Sequence, residues 1–317
     1  MADQETSAPG FTHIESPVLS IAISPAFDTD QTCYAAGPAG LYHSDDAGQS
    51  WHSVALPSPD IPVLALILSP DYPGDRSIFC GSQGGVLRSE DAGQTWEVSL
   101  MPTPAPTVAA LAISPGFAQD GIVFAGTDGD GVFRSEDHSV SWNSWNFGLL
   151  DLHVLSLAIS PNFVADQTLF AGTSSGLFKS RNGGRSWGEG AFPTAAAPVI
   201  SVAISPQFAD DGILYVGTEA SGLFISNDHG QRWSPIGVST LRGAISVITL
   251  APAFPAEQAL MVATNEAIYS SPDRGTTWMV RSLIADAFAL AAPYGMADHQ
   301  PVLIGRAEDG AQWVIKD

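Results

Sequence analysis

The sequence predicts an all-β fold, a single closed seven-bladed β-propeller built from four-stranded antiparallel blades. Three observations predict it. A tryptophan recurs at Trp51, Trp96, Trp142, Trp187, Trp233 and Trp278, at spacings of 45, 46, 45, 46 and 45 residues. A Ser-Pro step, Ala-Pro in the last two copies, places a proline at Pro25, Pro70, Pro115, Pro161, Pro206, Pro252 and Pro293. No apolar stripe of helical period runs for roughly ten residues or more. A period near 45 holding four short strand signals describes one propeller blade.

Each repeat divides into strands A to D. In the second these are "VLALILS", "SIFCGS", "GVLRS" and "TWEVSL". Their β-branched and aromatic residues suit strands, and Gly-rich hairpins join them. Strand A alternates large and small, as in Leu19/Ile21/Ile23 against Ser20/Ala22/Ser24, which suits the taper toward the axis. The blades run over about 18–56, 63–101, 108–147, 154–192, 199–237, 245–282 and 286–317. The seventh has signals for strands A, B and C and then stops. Phe11–Ser16 is expected to complete it as a fourth strand, a 3+1 closure that removes an exposed edge. Residues 1–10 are expected to form a flexible tail ahead of the 11–317 propeller.

Composition narrows the function. The chain carries 33 acidic and 12 basic residues, a net charge of −21. No Lys/Arg stripe exists to displace counterions, which argues against nucleic acid, and the same field repels anionic membrane surfaces. It favours a basic partner if the partner is charged. No apolar run reaches the roughly 20 residues that span a bilayer. The start, "MADQETSAPG", has neither a basic nor an apolar leader region, so cytoplasm is the default expectation, with a secreted or periplasmic location if a leader had been removed. Cys33 and Cys80 give no disulfide framework and read as small buried hydrophobes.

The tryptophans end an eight-residue string, "SEDAGQTW" in the second repeat. An Asp carboxylate here can accept hydrogen bonds from backbone N–H groups just downstream, and the Gly permits positive φ. Asp46, Asp91, Asp137, Asp228 and Asp273 fill the Asp position, and Asn182 replaces it in the fourth copy. Ser139 replaces the Gly in the third. Turn chemistry explains every residue of the string, so a structural role is expected for these residues and their tryptophans. The string joins strands C and D, on the face of the A–B loops. The opposite face, of D–A and B–C loops, is where propellers of this kind present ligand sites.

With its six such strings, its proline steps and its "FAGT…GLF.S.D.G..W" pattern, the sequence resembles the BNR/Asp-box propellers, in the sialidase-like and photosystem II assembly-factor-like branch. The resemblance covers residues 11–317 and implies the fold. Such propellers host hydrolases, lectins, receptors and assembly factors alike. A true sialidase would carry three arginines gripping a carboxylate, with a Tyr/Glu nucleophile pair and an acid. Arg242, Arg281 and Arg306 are the only arginines placed near the ligand-presenting face, and their loops do not match, so no catalytic residue is assigned.

Other chemistry is sparse. "GTSSG" (Gly172–Gly176) matches a nucleophile elbow in letters but aligns with the B–C hairpins. "TDGDG" lacks the remaining ligands of a calcium loop, and no metal or cofactor is expected. Asp30, Asp75, Asp120, Asp166, Asp211, Glu257 and Asp298 give one acid per blade in the A–B loop. These read as turn caps, with an acidic ring for a cationic partner as the sharper alternative. The pattern breaks at "WNFGLLDLHVL" (Trp145–Leu155) and "GVSTLRGAIS" (Gly237–Ser246). Trp145, Phe147, Leu149, Leu150, Asp151 and Arg242 are the candidate partner-binding residues, since aromatic and Leu-rich loops on a rigid scaffold serve as anchors. The reading is a non-enzymatic binding or assembly scaffold for a protein partner, a monomeric propeller within a larger assembly. A glycan-binding or glycoside-hydrolase propeller is the alternative, for which Trp145 beside Asp151 is the one hint.

Overall fold

A computed structural model describes residues 14–59, 61–102, 106–297, 300–307 and 310–314. Seven antiparallel sheets follow one another along the chain, six of four strands ordered A-B-C-D and one with three described strands ordered A-B-C. The inner strands are Ser20–Ile23, Val63–Leu68, Val108–Ile113, Val154–Ile159, Val199–Ile204, Ile245–Leu250 and Ala287–Ala291. The seven-bladed reading stands. One-turn helices in four A–B loops, at Phe27–Asp30, Phe117–Asp120, Phe163–Asp166 and Phe208–Asp211, add to the strands the sequence predicts.

The core lies between blades. Strand B of one blade and the A–B loop of the next contribute an edge-to-face aromatic pair at each of five successive seams: Tyr34–Tyr72, Phe79–Phe117, Phe124–Phe163, Phe170–Phe208 and Tyr215–Phe254, with centroids 5.4–6.3 Å apart. This geometry suits the ring quadrupoles. A second interlock needs glycine. In blades 3 to 6 strand A opens on a fully buried aliphatic residue that presses on a strand B glycine of the blade before, so a methyl on Gly81 would lie 2.7 Å from Val108 Cγ1.

The same interlock closes the ring. Val18 Cγ1 faces Gly305 of blade 7, the Val18 N–H donates to the Arg306 carbonyl at 2.8 Å, and Phe27 meets Tyr294 at 5.5 Å. Of the segment expected as the fourth strand of blade 7, residues Phe11 to His13 lie outside the described residues, as does the tail 1–10. Ile14–Ser16 forms no ladder, although Ile14 is buried with its carbonyl against Gly310.

Candidate partner-binding surface

The Asp-boxes work as hydrogen-bonded turns. In the first, the Ser44 hydroxyl donates to Asp46 Oδ1 at 2.8 Å and accepts the Gly48 N–H at 2.7 Å. Asp46 also accepts the Ser50 N–H at 2.9 Å and its hydroxyl at 2.6 Å. The same set recurs at Asp91, Asp137 and Asp273. In the fifth box Arg232 Nε replaces the hydroxyl, at 2.7 Å from Asp228 Oδ2. In the fourth, Asn182 keeps the acceptor role toward the Ser186 N–H and turns its amide onto the Ser186 hydroxyl at 2.8 Å. These bonds hold the carboxyls below the usual range; the hydroxyl and N–H of Thr95 bring Asp91 down to about 2.

Two consecutive residues of each box take positive φ, not the glycine alone. Ala47, Ala92, His138, Gly183, His229 and Arg274 have φ between 60° and 69°. Ser139 adopts φ 68° in place of glycine. Each left-handed residue donates its N–H to the A–B loop of its own blade, as in His138 to the Gly121 carbonyl at 3.0 Å. This puts the boxes on the A–B face, as expected.

The carbonyl of that residue faces the preceding blade, and a side chain from there clasps it. Tyr34 Oη donates to Ala92 O at 3.2 Å, Arg88 Nη1 to His138 O at 2.9 Å and Arg134 Nη1 to Gly183 O at 2.7 Å. Lys179 Nζ donates to His229 O at 2.7 Å and Tyr215 Oη to Arg274 O at 3.3 Å. Sequence reasoning missed these clasps. Their signal was a cation at the fourth position of strand C, at Arg88, Arg134 and Lys179, in step with the repeat.

The A–B loop acids are turn caps. Asp30, Asp75, Asp120, Asp166 and Asp211 each accept the hydroxyl of the Ser-Pro serine at 2.5–2.6 Å and a backbone N–H two residues on. An alanine stands at the serine position before Glu257, and Asp298 lies outside the described residues. The five capped carboxylates are already committed to internal donors.

The candidate anchor residues part company. Phe147 and Leu150 stand in solvent, 80% and 75% exposed, with Leu152 beside them. Leu149 between them is 6% exposed and packs in the core with Trp187 and Phe163, so it is corrected from an anchor to a foundation. Trp145 is half-buried, with the Arg134 guanidinium 4.2 Å and the Arg185 guanidinium 5.7 Å from its ring centre, and its carbonyl accepts the Trp187 indole N–H at 2.7 Å. It closes the seam to the fourth Asp-box and offers no open platform. Asp151 accepts the N–H groups of His153 at 3.0 Å and Ser175 at 2.6 Å, pinning the loop to the B–C hairpin of blade 4. Arg242 is exposed.

Further exposed apolar side chains, Val238 and Leu283, lie on other D–A connections, and Phe288 stands on the inner strand of blade 7. Arg281 is buried and donates to the carbonyls of Met296, Ala297 and Gln300 in the A–B loop of blade 7, away from the face expected of it. The central channel, about 330 Å³, is lined by strand A residues such as Leu66, Leu111, Leu157, Val202 and Ile248, with no ionisable side chain among its described lining. Two serine hydroxyls there turn onto neighbouring backbone, Ser201 to the Ile245 carbonyl at 2.7 Å and Ser246 to the Ala287 carbonyl at 2.9 Å. Cys33 and Cys80 are buried, and burial raises both thiols, Cys33 to about 12. Among the described residues no group of three His, Cys, Asp or Glu side chains is arranged to hold a metal ion. No described helix is long and apolar enough to cross a membrane.

Comparison with known proteins adds a lineage to this geometry. A family model described as photosynthesis system II assembly factor YCF48 matches residues 134–295, just over half of the chain. No curated protein sequence matches significantly. Among solved structures, a GH74 xyloglucanase from Xanthomonas campestris is similar at 18% identity and a TM-score of 0.74, covering 96% of this chain and 55% of its own. This chain therefore spans about half the length of that enzyme. An extracellular domain of a one-component system from B. thetaiotaomicron is similar at 15% identity and a TM-score of 0.70, covering 96% of this chain and 39% of its own. YCF48 bound to D1 peptide is similar at 14% identity and a TM-score of 0.69, over 97% of this chain and 95% of its own.

Proposed function

The chain belongs to the photosystem II assembly factor YCF48 family, and on that premise we propose that it is a non-catalytic propeller that binds a peptide segment of a protein partner. The observation that carries the reading is the Phe147–Leu152 connection. Phe147, Leu150 and Leu152 present apolar surface, while Leu149 below and Asp151 on the Ser175 N–H fix the backbone that presents them. Exposed apolar anchors on an ordered loop bind with little loss of entropy. The reciprocal cover with the peptide-bound YCF48 structure, against 55% of the xyloglucanase, supports a single-propeller binder over a hydrolase.

A peptide display library selected on the full chain tests this. Enriched peptides should bind the chain and lose roughly tenfold or more in affinity to a Phe147→Glu/Leu150→Glu variant, since buried apolar anchors carry 1–3 kcal/mol each. Equal binding to that variant would remove this face. Cleavage of xyloglucan oligosaccharides by the chain would remove the binding-scaffold class altogether.

A further inference from the structure

Blade 4 departs from its neighbours at its clasp. In blades 2 and 3 the clasping arginine is followed two residues later by glutamate, with Arg88–Glu90 at 3.0 Å and Arg134–Glu136 at 2.6 Å. In blade 4 the clasp is Lys179 and the residue two positions on is Arg181. The box itself changes with it, from "SEDAGQTW" in the second repeat to "SRNGGRSW", with Arg181 in place of Glu90, Asn182 in place of Asp91 and Arg185 in place of Gln94. The chain contains only two lysines, Lys179 and Lys316, and Lys316 lies outside the described residues.

Lys179 and Arg181 line two adjoining grooves together. One, of about 850 Å³, is formed with Asn182, Ser186, Glu189 and Gln231. The other, of about 470 Å³, includes Asn162, Thr168 and His229. The Lys179 amine lies 5.1 Å from the Phe170 ring centre and donates one hydrogen bond, to the His229 carbonyl. Among the described residues no ion pair reaches it; Asp166 accepts the Ser160 hydroxyl, Asp228 accepts the Arg232 guanidinium, and both act on the amine only through space.

We propose that Lys179 is an acylation site, its amine taking an acyl group from a small anionic acyl phosphate that Arg181 draws into the groove. The nitrogen lone pair attacks the acyl carbon. The C–N bond forms as the C–O bond to phosphorus breaks, and the proton shed by nitrogen leaves on hydrogen phosphate. Burial, followed by the positive charge of Arg181, brings the amine down to about 8, with Asp166 and Asp228 opposing, so a sizeable neutral fraction exists near neutral pH. The product removes the cation from the seam between blades 4 and 5.

Acetyl phosphate, incubated with the full chain near neutral pH and followed by peptide mass spectrometry, tests the proposal with Lys316 as an internal reference. Lys179 should acetylate about tenfold faster than Lys316, as the larger neutral fraction outweighs the weaker intrinsic nucleophilicity. Arg181→Glu should slow Lys179 toward both reagents, because the amine loses a neighbouring positive charge that keeps it neutral, but several-fold more toward acetyl phosphate than toward uncharged p-nitrophenyl acetate. Equal rates at the two lysines, or the same loss toward both reagents, would overturn it. An unchanged circular dichroism melt of Arg181→Glu confirms that the comparison is between folded proteins.

Discussion

The seam between blades 3 and 4 and the seam between blades 4 and 5 share one plan and differ chiefly in the strand C cation and the residue two positions on. Both have an edge-to-face phenylalanine pair, Phe124–Phe163 and Phe170–Phe208. Both have a cation of strand C stacked on strand B and bonded to a left-handed carbonyl of the next box. In the first the cation is Arg134, 4% exposed, paired with Glu136 and stacked on Trp145 as well. In the second it is Lys179, with Arg181 where the glutamate would be. One seam is electrostatically closed, the other keeps an amine facing two grooves. Identical topology thus leaves the charge state of a seam to two side chains.

The largest test of that shared plan is the aromatic pair. Phe124→Ala and Phe170→Ala should each destabilise by about 3–5 kcal/mol in equilibrium denaturation, the ordinary cost of emptying a fully buried phenylalanine site. A much smaller loss at either would mean that the seams do not share a core. The clasps should separate them. Arg134→Met should cost about 2 kcal/mol, because it strands the Gly183 carbonyl and removes the stack on Trp145, the exposed Glu136 adding little, and Lys179→Met should cost less, about 1 kcal/mol, since it loses one carbonyl bond and one ring contact. Equal losses would dissolve the distinction drawn here.

The smallest effect is in the boxes and reads on pH. The folded Asp91 carboxyl is depressed to about 2 against about 3.9 for an unfolded aspartate. Its contribution is therefore complete above pH ~4 and is lost as the pH falls through about 2. Asn182 has no such dependence. Asn182→Asp should add acid sensitivity over that interval in thermal melts, and Asp91→Asn should remove some of it.

Much of this was legible in the sequence because it repeats. Six tryptophans and seven prolines count the blades, and Ser-Pro followed six residues later by Asp is a cap whose partners are local. The clasps escaped because donor and acceptor sit 49 to 59 residues apart in adjacent blades, where no local turn rule reaches. Leu149 escaped for the opposite reason. A D–A connection has no side-chain period, so nothing in "FGLLDL" tells which leucine faces inward. Only the packing against Trp187 separates Leu149 from Leu150.

The contact of Val18 with Gly305 and Arg306 has a consequence for cooperativity. An open row of repeats that touch only their neighbours can peel from either end, each step releasing the entropy of one unit for the loss of one contact surface. A ring of such units has no terminal member. The first blade to loosen must give up two surfaces at once, so partial unfolding starts with its dearest step and the ring tends to melt as one unit.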